Sequence, residues 1–459
     1  MGVGGNFWDL LRPCMKRVGP DDFRGKRVAI DLSFWIVQQE TAVANSKTHV
    51  RKPHIRLTFF RTINLFSKYG ICPVFVVDGT PSQLKTPTRI ARFFRFSGFD
   101  ASVLPISEGD ISAERNKKFL NLVHECSELV SLLGMPLLKA NGEAEGLCAQ
   151  LNREGHADAC ITADSDAFLY GALCVIKSIN HDSEEPFECY YMTDIESELK
   201  LKRNHLIAIS ILVGNDHNLK GVPGIGIDTS MRFAHLFGDD EILDILLASR
   251  DGAELPIGDS SSVDESHRKN SSKLSHCMFC GHPGSKKIHK KSSCEYCGNI
   301  GGESCKKKLK GFKCPCSSCE KLQNAKAEGM LNDLKLIVTN KIRMLPSLPI
   351  AEVSELYLCS SHGNYSDGNL CLTWSGPNVD LLIDFLAFHL HFEPSYTRKK
   401  LFPVLSTIYL RNKAVNTDEN LLYDQYEFHS IQGIKVRRRN KFFFSQMEEG
   451  CSFRVLFCS

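Results

Sequence analysis

With 459 residues, 42% of them apolar and 24% charged, the chain has material for two or three domains with real cores and lacks the bias of a disordered or collagenous polypeptide. A formal net charge of +3 is too small to argue for nucleic acid by itself, so such a partner has to be read from local clusters. No run of about 18 apolar residues suggests a membrane span. Met1-Gly2-Val3-Gly4-Gly5-Asn6 lacks a secretory apolar core and carries Asn6 where a myristoylation signal wants Ser or Thr.

In chain order, residues 26–31 read as a buried strand ending on Asp31, followed by an apolar helix over 32–39. Residues 55–69 have helical periodicity, and 72–77 form a second β-branched run that ends on Asp78 before Gly79. Glu143 and Glu145 open a helix over 146–152, and carboxylates two apart converge there only if Glu143 precedes the first full turn. A third apolar run, 159–162, leads to Asp164 and Asp166, which would face the same way in extended chain. Strands alternating with helices imply an α/β fold, a mostly parallel sheet with helices on both faces. Ligands of such sheets sit beyond the carboxyl ends of the strands, so Asp31, Asp78 and Asp164 meet at one edge. Carboxylates gathered so closely repel unless a cation holds them, which points to a divalent-metal site.

A helix from Leu206 breaks at Gly214-Asn215-Asp216. The hexamer Gly221-Val222-Pro223-Gly224-Ile225-Gly226 then enters a helix over 229–237, an arrangement suited to gripping phosphates without reading bases. No Gly-Lys-Ser/Thr accompanies it, which disfavours a nucleotide-binding loop. Residues 250–275 read as a linker. Of the chain's 19 cysteines, eight fall in 277–319: Cys277, Cys280, Cys294, Cys297, Cys305, Cys314, Cys316 and Cys319. Two C-x2-C pairs suit a tetrahedral thiolate zinc site, the other four cysteines allow a second ion, and His282 and His289 are spare ligands. Crowded thiols without a secretory core fit a reducing compartment. Helices are expected over 326–345, 379–390 and 401–410. Residues 423–444 read as the start of a small β module that 445–459 does not continue, as in a truncated or alternative product.

The ordered motifs Met1-Gly2-Val3 with Phe7-Trp8, Val28-Ala29-Ile30-Asp31, Val77-Asp78-Gly79-Thr80-Pro81, Gly142-Glu143-Ala144-Glu145, Thr162-Ala163-Asp164-Ser165-Asp166, Gly214-Asn215-Asp216 and the glycine hexamer resemble the flap endonuclease/XPG nuclease superfamily. Within it the chain resembles the GEN-like branch, and there the plant single-strand DNA endonuclease (GEN-like 2) group. The resemblance covers about 1–245, with weaker continuation over 326–410. It implies a PIN/flap-nuclease-like fold and seven acidic metal positions: Asp31, Asp78, Glu143, Glu145, Asp164, Asp166 and Asp216. Two magnesium ions, or manganese in their place, are implied about 4 Å apart for in-line phosphodiester hydrolysis.

The resemblance further implies phosphate contacts or electrostatic aid from Lys85 and Arg92, with DNA contacts from Gly2, Arg89 and Arg95. It makes the hairpin glycines Gly221, Gly224 and Gly226 a duplex anchor, often accompanied by potassium. The implied organisation is nuclease regions at 1–98 and 99–205, a helix–hairpin–helix region at 206–249, a linker with a zinc-type insertion at 250–325, closing nuclease helices at 326–415 and a partial chromodomain-like segment at 416–459. The implied partner is branched DNA, 5′ flaps and Holliday junctions, bound by a chain that is monomeric when free and dimeric on a junction. The segment between Asp78 and Glu143 is short for a threading arch, which leaves junctions without free ends accessible. No membrane partner is expected, and the expected compartment is the nucleus. Two other readings are a non-catalytic branched-DNA scaffold, which has no need of seven converging acids, and a nuclease acting mainly on RNA or single-stranded DNA. Nothing in the sequence encodes 2′-hydroxyl recognition.

Overall fold

The computed structural model describes residues 7–36, 51–80, 109–217, 221–252, 275–291, 294–297, 305, 307–363, 370, 372–415, 421–422, 426–437 and 450–458. The chain divides into two units, Met1–Gly221 with Ala351–Ser459, and Val222–Ile350. No helix among the described residues is long and apolar enough to cross a membrane.

The first unit is built on a seven-stranded sheet. Its strands are β1 (Lys16–Val18), β2 (Arg27–Asp31), β3 (Cys72–Val77), β4 (Leu137–Lys139), β5 (Ala159–Ile161), β6 (Cys174–Ile179) and β7 (Phe187–Tyr191). Their spatial order is β1-β7-β6-β5-β2-β3-β4. The stretch from β6 to β4 is parallel throughout, and β7 and β1 close one edge antiparallel. Parallel strands are covered on both faces, which is why β2, β3 and β5 are nearly continuous apolar runs.

Alternation sorts their side chains. Val28, Ile30, Phe75, Ala159 and Ile161 join one core with Ile55 and Phe59 of the Pro53–Ile63 helix, Leu129 of the Gly109–Leu132 helix and Leu386 of the Val379–Leu390 helix. On the other face the Ala144–Arg153 helix packs on β2, β3 and β5. There the buried Cys160 thiol donates to the Cys148 carbonyl at 3.1 Å. Helices therefore cover both faces, as expected.

Several boundaries differ from the sequence reading. The third apolar strand stops at Ile161, three residues before Asp164, because the backbone turns there to start the short Asp166–Leu169 helix. The helix after the hairpin is Ile227–Ala234, and the one expected over 326–345 begins much earlier, spanning Ser317–Arg343. Residues expected not to continue the terminal β module do continue it. β10 (Gly450–Cys458) pairs antiparallel with β9 (Tyr426–Arg437), which also pairs with β8 (Leu421–Leu422).

In the second unit, the Asp239–Asp251 and Ser317–Arg343 helices pack together and the cysteine-rich segment precedes the latter. A lysine cation stacks within this unit, Lys335 Nζ lying 4.9 Å from the Phe237 ring centroid.

Candidate active site and metal centre

Because β2, β3, β4 and β5 run parallel, their carboxyl ends meet at one edge of the sheet. β2 delivers Asp31 directly and β3 delivers Asp78 one residue beyond its end. β4 leads through Ala140–Gly142 to Glu143, the extended residue (φ −91°, ψ 143°) that precedes the Ala144–Arg153 helix. Glu143 thus sits before the first turn, as convergence with Glu145 requires. The Asp78 carboxylate accepts from the Ala144 amide at 2.8 Å, so the acid after β3 caps the helix that carries Glu145. The two segments are stitched by backbone bonds, Gly79 N to Gly142 O at 2.7 Å and Thr80 N to Asn141 O at 3.0 Å.

Asp31, Glu145, Asp164, Asp166 and Asp216 are buried, Glu143 is half-buried and Asp78 is exposed. Burial raises the Asp31 carboxyl well above the ordinary carboxylate range, and repulsion from Asp78, Glu145 and Asp164 raises it further. The Phe34 amide, donating at 2.9 Å, only partly offsets this. Asp164 and Asp166 are not in extended chain. The Asp166 amide donates to Asp164 Oδ1 at 3.1 Å, so a turn, rather than strand alternation, brings that pair together.

Two residues that sequence patterns do not mark complete this edge. Tyr357, fully buried, donates its hydroxyl to Asp166 Oδ2 at 2.8 Å. Its ring packs edge-on against Tyr170 and against His217, the neighbour of buried Asp216. The His362 carbonyl accepts from the Asn141 amide at 2.8 Å, and the His362 amide donates to Gln150 Oε1 at 2.6 Å. The His362 backbone therefore fastens the segment that presents Glu143 and Glu145 on both sides of that pair. At the other side, Trp8 Nε1 donates to the Ala163 carbonyl at 3.0 Å, tying the amino-terminal helix Phe7–Leu11 to the residue before Asp164.

The hairpin residues 221–226 are described. Lys341, from the Ser317–Arg343 helix, donates its ammonium to the carbonyls of Pro223 at 3.2 Å and Gly224 at 3.0 Å. Gly2, Lys85, Arg89, Arg92 and Arg95 lie outside the described residues.

Residues 1–95 match the XPG N-terminal domain, and residues 134–216 match the XPG I-region. Flap endonuclease GEN-like 1 of Arabidopsis thaliana is 55% identical over 442 residues, spanning 95% of this chain and 73% of that protein. The chain belongs to the GEN family of flap endonucleases. A solved structure of human GEN1 in complex with Holliday junction DNA shares the fold of this GEN-family chain, with a TM-score of 0.63 at 23% identity, over 95% of this chain and 85% of that one. Single-strand DNA endonuclease 1 of Oryza sativa subsp. japonica is 36% identical over 252 residues, 54% of this chain and 39% of that protein. Among GEN-family relatives the chain is thus nearer GEN-like 1 than the single-strand endonuclease group its motifs first suggest.

The cysteine-rich insertion of this GEN-family chain differs from the sequence reading in its ligand sets. The two C-x2-C pairs do not form one all-thiolate quartet. Three groups have ligand atoms close enough to share a metal ion: His276 with Cys314, Cys316 and Cys319; Cys280 with His289, Cys294 and Cys305; and Cys280 with His282, Cys294 and Cys297. Histidine enters each because the tight turn after Cys277 folds the chain back, with Cys277 N bonded to His282 O at 2.8 Å. His282 and His289, spare by spacing, face thiols, and His276 is a candidate that spacing did not mark. The Cys319 backbone and His276 draw the Cys316 thiol down to about 6. The Cys280 backbone draws Cys277 to about 7. The cysteines Cys277, Cys280, Cys294 and Cys305 are themselves the buried cluster of this module, while Met278, Leu309 and Ile288 are exposed. A segment with so little apolar core suits cross-linking by metal.

Proposed function

We propose that this chain is a metal-dependent, structure-specific DNA endonuclease that hydrolyses phosphodiesters at 5′ flaps and at Holliday junctions, acting in the nucleus. The observation that carries this reading is Asp31, buried at the carboxyl edge of the parallel sheet with Asp78, Glu145 and Asp164 close enough to raise its pKa, in a chain of the GEN family.

That donor set fits hard divalent cations, because an all-oxygen, carboxylate-rich site is relieved by positive charge and offers magnesium or manganese the ligands they prefer. Asp31, Asp78, Glu143, Glu145, Asp164, Asp166 and Asp216 are the proposed ligands. Two bound ions would supply Lewis-acid stabilisation of phosphate oxygens and a water acidic enough to attack near neutral pH. The chain's own residues provide placement. Asp78 fixes the start of the Glu145 helix, Tyr357 fixes one oxygen of Asp166, and Trp8 fixes the peptide before Asp164. Without cations, burial and the neighbouring carboxylates favour the protonated form of Asp31. No protein nucleophile is needed. Lys85 and Arg92 are proposed to aid at the scissile phosphate, with Gly2, Arg89 and Arg95 on DNA.

The hairpin Gly221, Gly224 and Gly226 is proposed to hold duplex phosphates, with Lys341 competing against potassium for the Pro223 and Gly224 carbonyls. The cysteine-rich insertion is proposed to hold zinc. The chain is proposed to be monomeric when free and to pair on a junction.

A magnesium-dependent cleavage panel tests this reading, comparing flap, fork, gapped duplex, Holliday junction, single-stranded DNA and RNA with mapped cut sites. Glu143→Ala and Asp164→Asn are expected to abolish cleavage while branched-DNA binding largely survives. Normal magnesium-dependent turnover in either variant would sink the assignment. Binding to branched DNA without cleavage by the parent chain would favour a scaffold. Paired symmetric cuts are expected on the junction if two chains assemble there.

A further inference from the structure

The insertion's three ligand groups are not alternatives of equal kind. His276, Cys314, Cys316 and Cys319 share no member with the others, whereas the remaining two groups share both Cys280 and Cys294. Each of those overlapping groups is a complete quartet, the first closed by His289 and Cys305 and the second by His282 and Cys297. Six side chains thus present two tetrahedral donor sets only if two thiolates serve both.

The donor spacings suit zinc. A tetrahedral ion with zinc–sulfur bonds of about 2.3 Å and zinc–nitrogen bonds of about 2.0–2.1 Å sets neighbouring sulfur and nitrogen about 3.5 Å apart. Cys280 Sγ lies 3.3 Å from His289 Nδ1, and Cys297 Sγ lies 3.3 Å from His282 Nδ1. His276 Nε2 lies 3.5 Å from Cys316 Sγ and 3.2 Å from Cys319 Sγ. The His289 ring is also held in the required tautomer. Its Nε2 is 2.8 Å from the Pro283 carbonyl, which can only accept, so Nε2 carries the proton and Nδ1 offers its lone pair toward Cys280. Gly284 (φ +108°) allows that approach, since a Cβ there would stand 2.7 Å from His289 Nε2. Charge agrees as well: once bound, the four thiolates of the overlapping quartets balance two dications.

We propose that the insertion holds three zinc ions, one at His276, Cys314, Cys316 and Cys319, and a pair bridged by the Cys280 and Cys294 thiolates, capped by His289 with Cys305 on one ion and by His282 with Cys297 on the other. Each cysteine thiol releases its proton to water as it binds. This inference deepens the zinc reading above and is independent of the nuclease assignment.

The test uses the full chain, expressed with zinc and purified reduced. Elemental analysis is expected to give about three zinc per chain. After exchange with cadmium-113, the NMR spectrum is expected to show three resonances, two of them split by cadmium–cadmium coupling through the shared thiolates. His276→Ala is expected to lose one ion and leave the coupled pair intact. Two zinc per chain with no coupling would overturn the bridged pair while keeping zinc in the module. No zinc at all would overturn the zinc reading itself, and neither result depends on a DNA cleavage assay. The count and coupling are read on the parent chain, so a misfolded variant leaves the outcome decided.

Discussion

Tyr357 donates its hydroxyl to Asp166 Oδ2 at 2.8 Å across a sequence separation of 191, and both side chains are wholly buried. A neutral donor on a buried carboxylate fixes which oxygen faces the rest of the acidic cluster. Hydrogen bonds to charged groups contribute about 1.5–3 kcal/mol, so Tyr357→Phe is expected to lower cleavage about 10- to 100-fold. The ring still packs on Tyr170 and His217, so the loss should fall on kcat, with KM and the overall fold little changed. Steady-state kinetics on one flap substrate, alongside a thermal melt, separates these. An equal loss in Tm and activity would mean that the hydroxyl matters only for folding.

A second expectation concerns Gly79. A Cβ built there would fall 2.1 Å from the Ala140 carbonyl oxygen, backbone that cannot swing aside. Relief requires parting the two strand ends that carry Asp78 and Glu143. Overpacking of this kind costs about 1–3 kcal/mol, and misplacement near the chemistry costs activity beyond the stability loss. Gly79→Ala is therefore expected to lower the melting midpoint and to cut cleavage sharply even well below that midpoint.

Much of this edge is legible in the sequence, and the reason is physical. β2, β3 and β5 are buried on both faces, so their residues had to be apolar up to the acid that leaves the sheet. β4 is only three residues long, which gives no pattern to read, although it is the strand that leads to Glu143. Tyr357 looks like one more apolar position in the Ile350–Leu358 helix, because its hydroxyl partner is remote in sequence. Strand alternation does not describe how Asp164 and Asp166 come together, since a turn joins them. In the insertion, cysteine spacing located the segment whose side chains could hold a metal, but not how those side chains group. Histidines enter the groups through the fold-back after Cys277, which spacing does not encode.

The pH dependence follows from Asp31, whose carboxyl is raised in the folded chain by burial and by its acidic neighbours. The unfolded chain titrates this group near about 3.9. Between that pH and the raised folded value the native state binds more protons than the unfolded one, so stability falls as pH rises through the window. Below it the group has no effect. In magnesium-free buffer prepared without chelator, the melting midpoint is expected to decline as pH climbs above about 4. Asp31→Asn is expected to remove much of the decline. Added magnesium should restore the parent chain at high pH and leave the Asn variant little changed. A midpoint that rises over the same window in the parent but not in the variant would contradict the sign derived for Asp31.

Lys341 offers the last expectation, on the hairpin. Its ammonium donates to the Pro223 and Gly224 carbonyls, so two oxygens that a potassium ion would use are already facing a cation. A free ion and a tethered ammonium compete for the same lone pairs, and the tethered one has the advantage of local concentration. In the parent chain, duplex affinity should therefore depend little on whether the salt is potassium or lithium at fixed ionic strength. Lys341→Ala frees both carbonyls. Because the contact is exposed, its removal is expected to weaken duplex binding only by roughly threefold in lithium, in the range of solvent-screened charge contacts. Potassium should then restore part of that loss. Binding titrations in the two salts decide it: equal loss in potassium and lithium would show that Lys341 acts on the hairpin's shape or the DNA charge and not on a cation site.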